Sequence, residues 1–366
     1  MNYNWQHKNW PNFSYDTTAL DAAVSTFTLA FGEVKGILDT LKEDVKQETL
    51  LQFMLDEAMK TSEIEGEYYS RRDILSSIKN KIGLAVPKHL IFDKRAEGVS
   101  ELMVEVRASY HIPLSEDLLQ TWHQILFAQS FTVRSGFYRE GTDPMQIISG
   151  SYGRELVHYE APPSGQVPKE MEHFIDWYTH YKVAPLDFKN ALIKTAISHL
   201  YFESIHPFED GNGRIGRALA EKCLAESLQF PLVLSLSKTI EKDKKTYYLA
   251  LKEAQKSLDL TAWIIYFSHI LVEAQQQAKQ TIHLIVNKTH FLDLHTAQLN
   301  ERQHKVILKM FDLGLEHFEG GMSAKKYMSL TKTSKATATR DLQDLVEKGI
   351  LVLSGAGRSV RYHLTV

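Results

Sequence analysis

Cysteine is almost missing from this chain: Cys223 is the one thiol among 366 residues. A lone cysteine has no partner within the chain, so a disulfide-stapled fold is excluded and a reducing compartment is expected. Glycine and proline are sparse, at 19 and 10 residues, which argues against a chain made mostly of turns and linkers. Neither sign of charge dominates; a formal net charge of −3 excludes a generic polyanion binder. The densest apolar run, AWIIYFSHILV, is too short to span a bilayer, so no membrane partner is expected. The opening MNYNWQHKNWPNF lacks a basic stretch followed by an apolar one. No secretory leader is therefore expected, and a cytoplasmic location is the default.

What remains is an ordinary globular composition, 43% hydrophobic, in a chain long enough for two or three domains. Most apolar spacing is helical. Helices are predicted over 17–43, 48–61, 116–129, 168–181, 187–204, 212–229, 244–256 and 260–285. In the fifth, Leu192, Ile193, Ala196, Ile197 and Leu200 form one stripe. Residues 136–165 differ, with glycine, proline and β-branched pairs that predict a hairpin or flap. From Leu299 onward eleven Lys and Arg stand against seven Asp and Glu, an excess of +4 over an otherwise acidic chain. That segment reads helix, short helix, helix, then the strands ILVLS and VRYHL joined by GAGRS: a winged helix-turn-helix. The expected fold class is mainly α, a helical core with a β-hairpin flap plus this C-terminal module. The expected domains are 1–110, 111–285 and 290–366.

The densest chemistry lies in HPFEDGNGRIGR, residues 206–217. Gly211, Gly213 and Gly216 spell G-x-G-x-x-G, the loose signature of a dinucleotide site. That reading fails on context. A Rossmann loop follows a buried strand, and the residues before this one are helical in spacing and end in polar groups. No acid stands in FPLVLSLS, where a ribose would need one, and no lysine follows the glycines as a Walker loop requires.

Read on its own chemistry, the stretch opens a helix whose free amides form an anion site. Arg214 and Arg217 are three apart and share a face, opposite an apolar stripe of Ile215, Ala218, Leu219 and Cys223. Two guanidiniums at a helix N-terminus suit a polyphosphate. Asp210 is a hard oxygen ligand able to hold Mg²⁺ together with phosphates. His206 titrates near neutrality and can take a proton from an attacking hydroxyl. Asn212 can donate to a phosphate oxygen, and Phe208 is expected to anchor the loop. His199, on the preceding helix, is a satisfied core histidine before it is a ligand.

The stretch resembles the Fic family motif, H-P-F-x-[DE]-G-N-G-R-x-x-R, at every position. The likeness extends over roughly residues 1–285. It implies transfer of AMP from ATP to a Ser, Thr or Tyr hydroxyl of a protein, the enzyme itself among the candidates. Under it His206 is the general base, Asp210 the Mg²⁺ ligand, and Gly211, Asn212, Gly213 and Arg214 hold the α- and β-phosphates while Arg217 holds the γ-phosphate. The related death-on-curing toxins carry lysine in place of Gly213, so glycine implies AMP transfer. A second stretch, KTSEIEGEYYS, resembles the family's inhibitory motif [ST]-x-x-x-E-[GN] through Thr61, Glu65 and Gly66. It implies that the Glu65 carboxylate occupies the Arg217 fork that a phosphate would use. LVHYEAPPS resembles the family's flap, with Val157, His158 and Tyr159 pairing with target backbone. TYYLALKEAQ resembles the adenine-side helix, with Tyr248 closing the base pocket and Gln255 in place of the usual asparagine.

The C-terminal module leaves its partner open. Thr337, Thr339 and Arg340 are placed to face a groove, and Arg358 and Arg361 to touch phosphates if DNA is bound. Contact with a target protein or a homodimer surface is the other reading. Two further functions stay in view. One is a nucleotide-sensing winged-helix transcription regulator. The other is a metal-dependent hydrolase that uses His199, His206 and Asp210 to remove AMP.

Overall fold

The computed structural model describes residues 3–84, 89–149, 156–312, 321–356 and 359–365. The chain forms two compact units, Met1–Lys279 and Gln280–Val366. The first unit opens with helices α1 (Asp21–Thr40), α2 (Glu43–Ile64), α3 (Arg71–Lys81), α4 (Arg95–Ala108) and α5 (Glu116–Leu126). An antiparallel hairpin follows, β1 (Gln146–Ser149) and β2 (Leu156–Glu160), with Gln146 opposite Glu160 and an irregularity after Ile147. Then come α6 (Val167–His180), α7 (Phe188–Ile205), α8 (Asn212–Leu228), α9 (Leu236–Lys242), α10 (Lys244–Ala254) and α11 (Thr261–His295), the last of which runs on into the second unit from Gln280.

Side-chain caps set several helix starts. Ser70 begins α3, Ser115 α5, Asp187 α7, Ser235 α9 and Asp243 α10, each accepting a backbone N–H of the first turn. Helix α8 differs, because its cap residue is Gly211, at φ 80°, with no side chain to close the free amides. That difference leaves the site's anion-binding end open.

The single apolar stripe expected on α7 is not what the fold shows. Every residue from Ala191 to Ile205 is buried, because α7 is the central helix, packed on α8, α6 and α1. A helix apolar or satisfied all round is a core helix. Its polar side chains bond inward or along the helix: Thr195 and Ser198 to the preceding turn, and His199 to its neighbours. Helix α8 is likewise enclosed on all sides, so Arg214 and Arg217 are buried, not on a solvent face. Helix α2 packs on α3, α4 and α9, which brings its C-terminal end to α8. The N-terminal segment joins the hairpin to the core. Asn4 donates to Ser204 Oγ at 2.8 Å and to the Gln255 carbonyl at 2.7 Å, and Trp5 Nε1 donates to the Glu160 carbonyl at 2.8 Å.

The second unit contains α12 (Glu301–Asp312), α13 (Ala324–Thr331) and α14 (Lys335–Glu347), then the antiparallel pair β3 (Leu351–Ser354) and β4 (Arg361–Leu364). The order of helix, short helix, helix and two strands is the one the sequence predicts. Val306, Ile307, Met310, Tyr327, Leu342, Leu345 and Ile350 form its core. Asp341 accepts from Arg302 Nε at 2.8 Å and from the Tyr327 hydroxyl at 3.0 Å, so α12, α13 and α14 share one polar clamp. Arg340 is exposed, Thr337, Thr339 and Arg361 are half-buried, and Arg358 lies outside the described residues. Among the described residues no helix is long and apolar enough to cross a membrane.

Candidate active site

Helix α7 ends on His206, which takes the left-handed conformation at φ 52°. A non-glycine residue rarely adopts that backbone and needs its surroundings to hold it there. Arg139 does so. Its Nε donates to the His206 carbonyl at 2.8 Å, Nη1 to Ser164 Oγ at 2.9 Å, and Nη2 to the carbonyls of Pro162 at 2.5 Å and Ile205 at 3.2 Å. Burial lowers the Arg139 pKa to about 10, so the guanidinium stays charged at neutral pH. The same burial, helped by the positive charge of Arg139, pushes the imidazole of His206 down to about 4. His206 is therefore neutral and able to accept a proton at physiological pH.

The loop after His206 is braced from two sides. The Asn212 side chain accepts from the Phe208 amide at 2.9 Å and donates to the Phe208 carbonyl at 2.8 Å. Both ends of that amide are used, so the expected side-chain bond from Asn212 to a phosphate is replaced by a loop-fixing role, and its backbone remains for the ligand. His123 of α5 stacks flat on Phe208 at 4.1 Å. Its Nδ1 accepts the Gly136 amide at 2.8 Å, which leaves Nε2–H to donate to the Asp210 carbonyl at 3.2 Å. Burial holds that ring neutral, at about 4. The Asp210 carboxylate itself is largely exposed and faces Arg214 Nη2 at 3.4 Å.

The three glycines each answer a separate need. Gly211 is left-handed, and a Cβ there would lie 2.6 Å from the Phe127 ring. At Gly213 a Cβ would lie 2.4 Å from Glu65 Oε1 and 3.1 Å from Arg217 Nη1. At Gly216 it would lie 2.2 Å from Glu203 Oε1. None of these is a dinucleotide contact, consistent with the context argument.

Glu65 follows the last turn of α2, and Gly66 at φ 81° ends that helix. Arg217, 1% exposed, donates from Nη2 to Glu65 Oε1 at 2.7 Å, from Nε to Thr61 Oγ1 at 2.9 Å, and from Nη2 to the Thr61 carbonyl at 3.1 Å. Burial would lower the Arg217 pKa, but the Glu65 charge raises it beyond its ordinary value. A neighbouring pair repeats the pattern: Arg214 Nη1 donates to Glu67 Oε2 at 2.6 Å. The carboxylate of Glu65 thus sits against Gly213 at the open end of α8, where an anion is favoured.

The remaining expected residues divide. Tyr248 is 42% exposed and its ring lies tilted at 5.2 Å from that of Tyr247, with Arg217 and Glu65 near enough to act on its hydroxyl. Gln255 is buried, and its Nε2 donates to the Glu203 carbonyl at 3.2 Å, so it braces the end of α7 and does not line an open base pocket. In the hairpin, Val157 is exposed and Lys252 Nζ lies 3.5 Å from His158 Nδ1. The Tyr159 side chain is buried and its hydroxyl donates to the Ser204 carbonyl at 2.7 Å, so it anchors the flap to α7 and leaves only its backbone for a target. His199 is fully buried. Its Nδ1–H donates to the Gly216 carbonyl at 2.9 Å and Nε2 accepts from the Tyr247 hydroxyl at 2.6 Å. Burial pulls its pKa to about 3. With both nitrogens engaged it is a core histidine, which removes a ligand from the metal-hydrolase reading. Among the described residues no three His, Cys, Asp or Glu side chains gather as a metal cluster. One exposed carboxylate beside an anion site does fit Mg²⁺, which binds one or two carboxylates plus substrate phosphates.

Sequence reasoning missed Arg139, His123 and Glu203. Their partners lie at residues 162–206, 136 and 210, and 206 and 216, at distances that no local pattern encodes.

Residues 113–224 match the model of the family described as Fic/DOC family. Residues 3–84 match a domain of unknown function, DUF4172. A curated protein of Aquifex aeolicus (strain VF5), named a probable protein adenylyltransferase, is 32% identical over 98 residues, 27% of each chain. The match thus spans about a quarter of that relative. Among solved structures, a Fic family protein from Desulfovibrio desulfuricans G20 aligns with a TM-score of 0.57 over 97% of this chain and 98% of its own, at 20% identity. A Fic domain containing signaling protein from Bacteroides thetaiotaomicron aligns with a TM-score of 0.52 over 70% of this chain and 97% of its own, at 18% identity. At these identities the structural likeness is one of fold.

Proposed function

Since this chain belongs to the Fic/DOC family through residues 113–224, we propose that it is a protein adenylyltransferase held inactive by its own Glu65. The substrates are ATP and a Ser, Thr or Tyr hydroxyl on a protein. The observation that carries this reading is the carboxylate lodged on Arg217 and Gly213: the open end of α8 accepts an anion, and one built into the chain already fills part of it.

In the reaction the hydroxyl oxygen attacks the α-phosphorus and the bond to the pyrophosphate oxygen breaks. The hydroxyl proton passes to Nε2 of His206, which burial keeps neutral for that purpose. Arg217 and Arg214 hold phosphate oxygens once Glu65 and Glu67 release them, and the first amides of α8 support them. Asp210 would hold Mg²⁺, which supplies charge neutralisation on the triphosphate. Arg139 fixes the backbone of His206, and His123 with Asn212 fixes the loop beneath the phosphates. The hairpin β1–β2 offers an edge on which a target segment can add as a strand.

The test is mass spectrometry of the protein and of candidate targets after incubation with ATP and magnesium. An adduct with the mass of one AMP residue supports the reading. His206→Ala is expected to abolish that adduct while ATP still binds, measured by calorimetry within about threefold of the parent, because a base contributes to the reacting step and not to ground-state binding. If the substitution abolishes binding too, His206 is a ligand contact and not the base.

A further inference from the structure

Glu203 is a buried carboxyl that the reaction above does not use. It lies one turn before His206 on α7 and is 4% exposed. Its Oε1 has no hydrogen-bond partner and fills the space that Gly216 leaves beside α8. Its Oε2 is 3.9 Å from Nδ1 of His206, which is buried and makes no well-formed hydrogen bond, the backbone carbonyl of Glu203 being the other acceptor that acts on the ring. Each residue thus buries a polar atom without a hydrogen bond, Oε1 on Glu203 and Nδ1 on His206, which costs free energy unless a partner is found at some stage. Catalytic hydrogen bonds are often long in a resting enzyme and tighten when substrate is bound.

We propose that Glu203 is a positioning residue for His206: its carboxylate accepts Nδ1–H and so keeps the Nε2 lone pair turned toward the target hydroxyl. The proposal rests on the reading of His206 as the base. The proton balance follows. The hydroxyl proton goes to Nε2, the oxygen–phosphorus bond forms, pyrophosphate leaves, and the imidazolium keeps its Nδ1–H on Glu203. A carboxylate only accepts, so it selects one tautomer of the ring. A protonated carboxyl can also donate to Nδ1, which would put the ring proton on Nε2 and block the base.

Which form is present depends on the groups around Glu203. Burial raises its pKa, Arg217 of α8 opposes that, and Glu65 of the inhibitory turn adds to it; the balance is about 8. Tyr247 and Tyr248 of α10 also act on it, His199 lies across Gly216, and the charge of Arg139 acts on His206. Removing Glu65 takes away one of the charges that keep Glu203 protonated. The brake therefore acts on the base as well as on the phosphate site.

The test uses the full-length chain carrying Glu65→Gly, with and without Glu203→Gln. In the first, transfer is expected to rise with pH as Glu203 ionises. In the second, kcat is expected to fall roughly 10- to 100-fold, KM for ATP to stay within about twofold, and that rise to vanish, as for loss of a group that orients a general base. Carbon and nitrogen chemical shifts of the His206 ring give a readout independent of turnover and of partial unfolding. The Nδ1–H form is expected to grow with pH in the parent and to lose that dependence in Glu203→Gln. A kcat within about threefold of the parent, or a lower kcat with the same pH profile, overturns the proposal. So does a parent ring that stays in the Nε2–H form above Glu203's ionisation. If Glu65→Gly alone transfers no AMP while its ring shifts follow the expected course, the reaction has been misread and the positioning has not.

Discussion

Removal of the Glu65 carboxylate is the perturbation with the most direct link between geometry and rate. Its bond to Arg217 is 2.7 Å long, and the guanidinium is 1% exposed while the carboxylate is 29% exposed. A charge-assisted hydrogen bond of this kind is worth about 1.5–3 kcal/mol. The partial exposure of Glu65 places it at the lower end, about 2 kcal/mol. A phosphate that needs the same fork must first displace that bond. Deleting the carboxylate returns the difference to nucleotide binding, roughly 10- to 100-fold at about 1.4 kcal/mol per decade. Glu65→Gly is therefore expected to raise the initial rate of AMP incorporation at subsaturating ATP by that factor. Glu65→Gln, which keeps the shape and loses the charge, should give an intermediate gain. The backbone of Glu65, at φ −85°, does not demand glycine, so neither change relieves strain. The cost appears in stability, because Arg217 keeps only its two bonds to Thr61. The free Glu65→Gly protein should melt lower than the parent, and ATP should raise its melting temperature by more. Labelling with radioactive ATP and calorimetric titration read the two effects. Equal labelling and equal ATP affinity in parent and variant would refute the competition argument.

Two further outcomes follow from the same contacts. Arg139→Gln strips hydrogen bonds from the carbonyls of Pro162, Ile205 and His206. It should lower stability by about 3 kcal/mol or more and kcat by at least tenfold with little change in ATP affinity, read by thermal melting and single-turnover assay. His199 titrates at about 3 when folded and near its ordinary 6.5 when unfolded, so acid protonates the unfolded chain first. As pH falls from about 6.5 toward 4, the parent should lose stability faster than His199→Gln, and equal slopes in the two melting profiles would show that this histidine is not buried neutral.

Much of the fold was legible because its signals are local. The helical spacing of apolar residues marked α1, α2, α5, α6, α7, α8, α10 and α11, and turn chemistry marked both hairpins. Three helices were not foreseen. In α3 the apolar residues are few, Ile74, Leu75 and Ile78, and its best signal is the Ser70 cap. In α4 an interior glycine obscures the pattern. Gly98 is there because a Cβ would lie 2.4 Å from the Leu126 carbonyl, so the approach of α5 sets it, not the helix itself. Helix α9 is only seven residues long. The candidate site was legible where one short motif carried it, from His206 to Arg217. The bracing groups were not, since Asn212, Gln255 and Tyr159 look like ligand contacts in sequence and turn out to spend their side chains on the protein.

The location of the proposed brake also constrains how Glu65 could be released. Helix α2 is tied to the start of α9 by Glu57, which is buried and accepts from Ser235 Oγ at 2.7 Å, from the Ser237 amide at 2.9 Å and from the Ser237 hydroxyl. Asp56 adds an ion pair with Lys238 at 2.6 Å, and Lys60 one with Glu241 at 3.5 Å. Withdrawing α2 as a body would break all of these and strand the Glu57 carboxylate, a cost of several kcal/mol for that one group. Freeing Glu65 alone costs about 2 kcal/mol by the argument above. Glu65 and Glu67 lie past the helix end, on either side of the left-handed Gly66, and both are partly exposed. The cheaper motion is thus confined to that turn. Under the proposed function, a signal that relieves inhibition would need only to hold two partly exposed carboxylates elsewhere, while the helix that carries them stays where α9 fixes it.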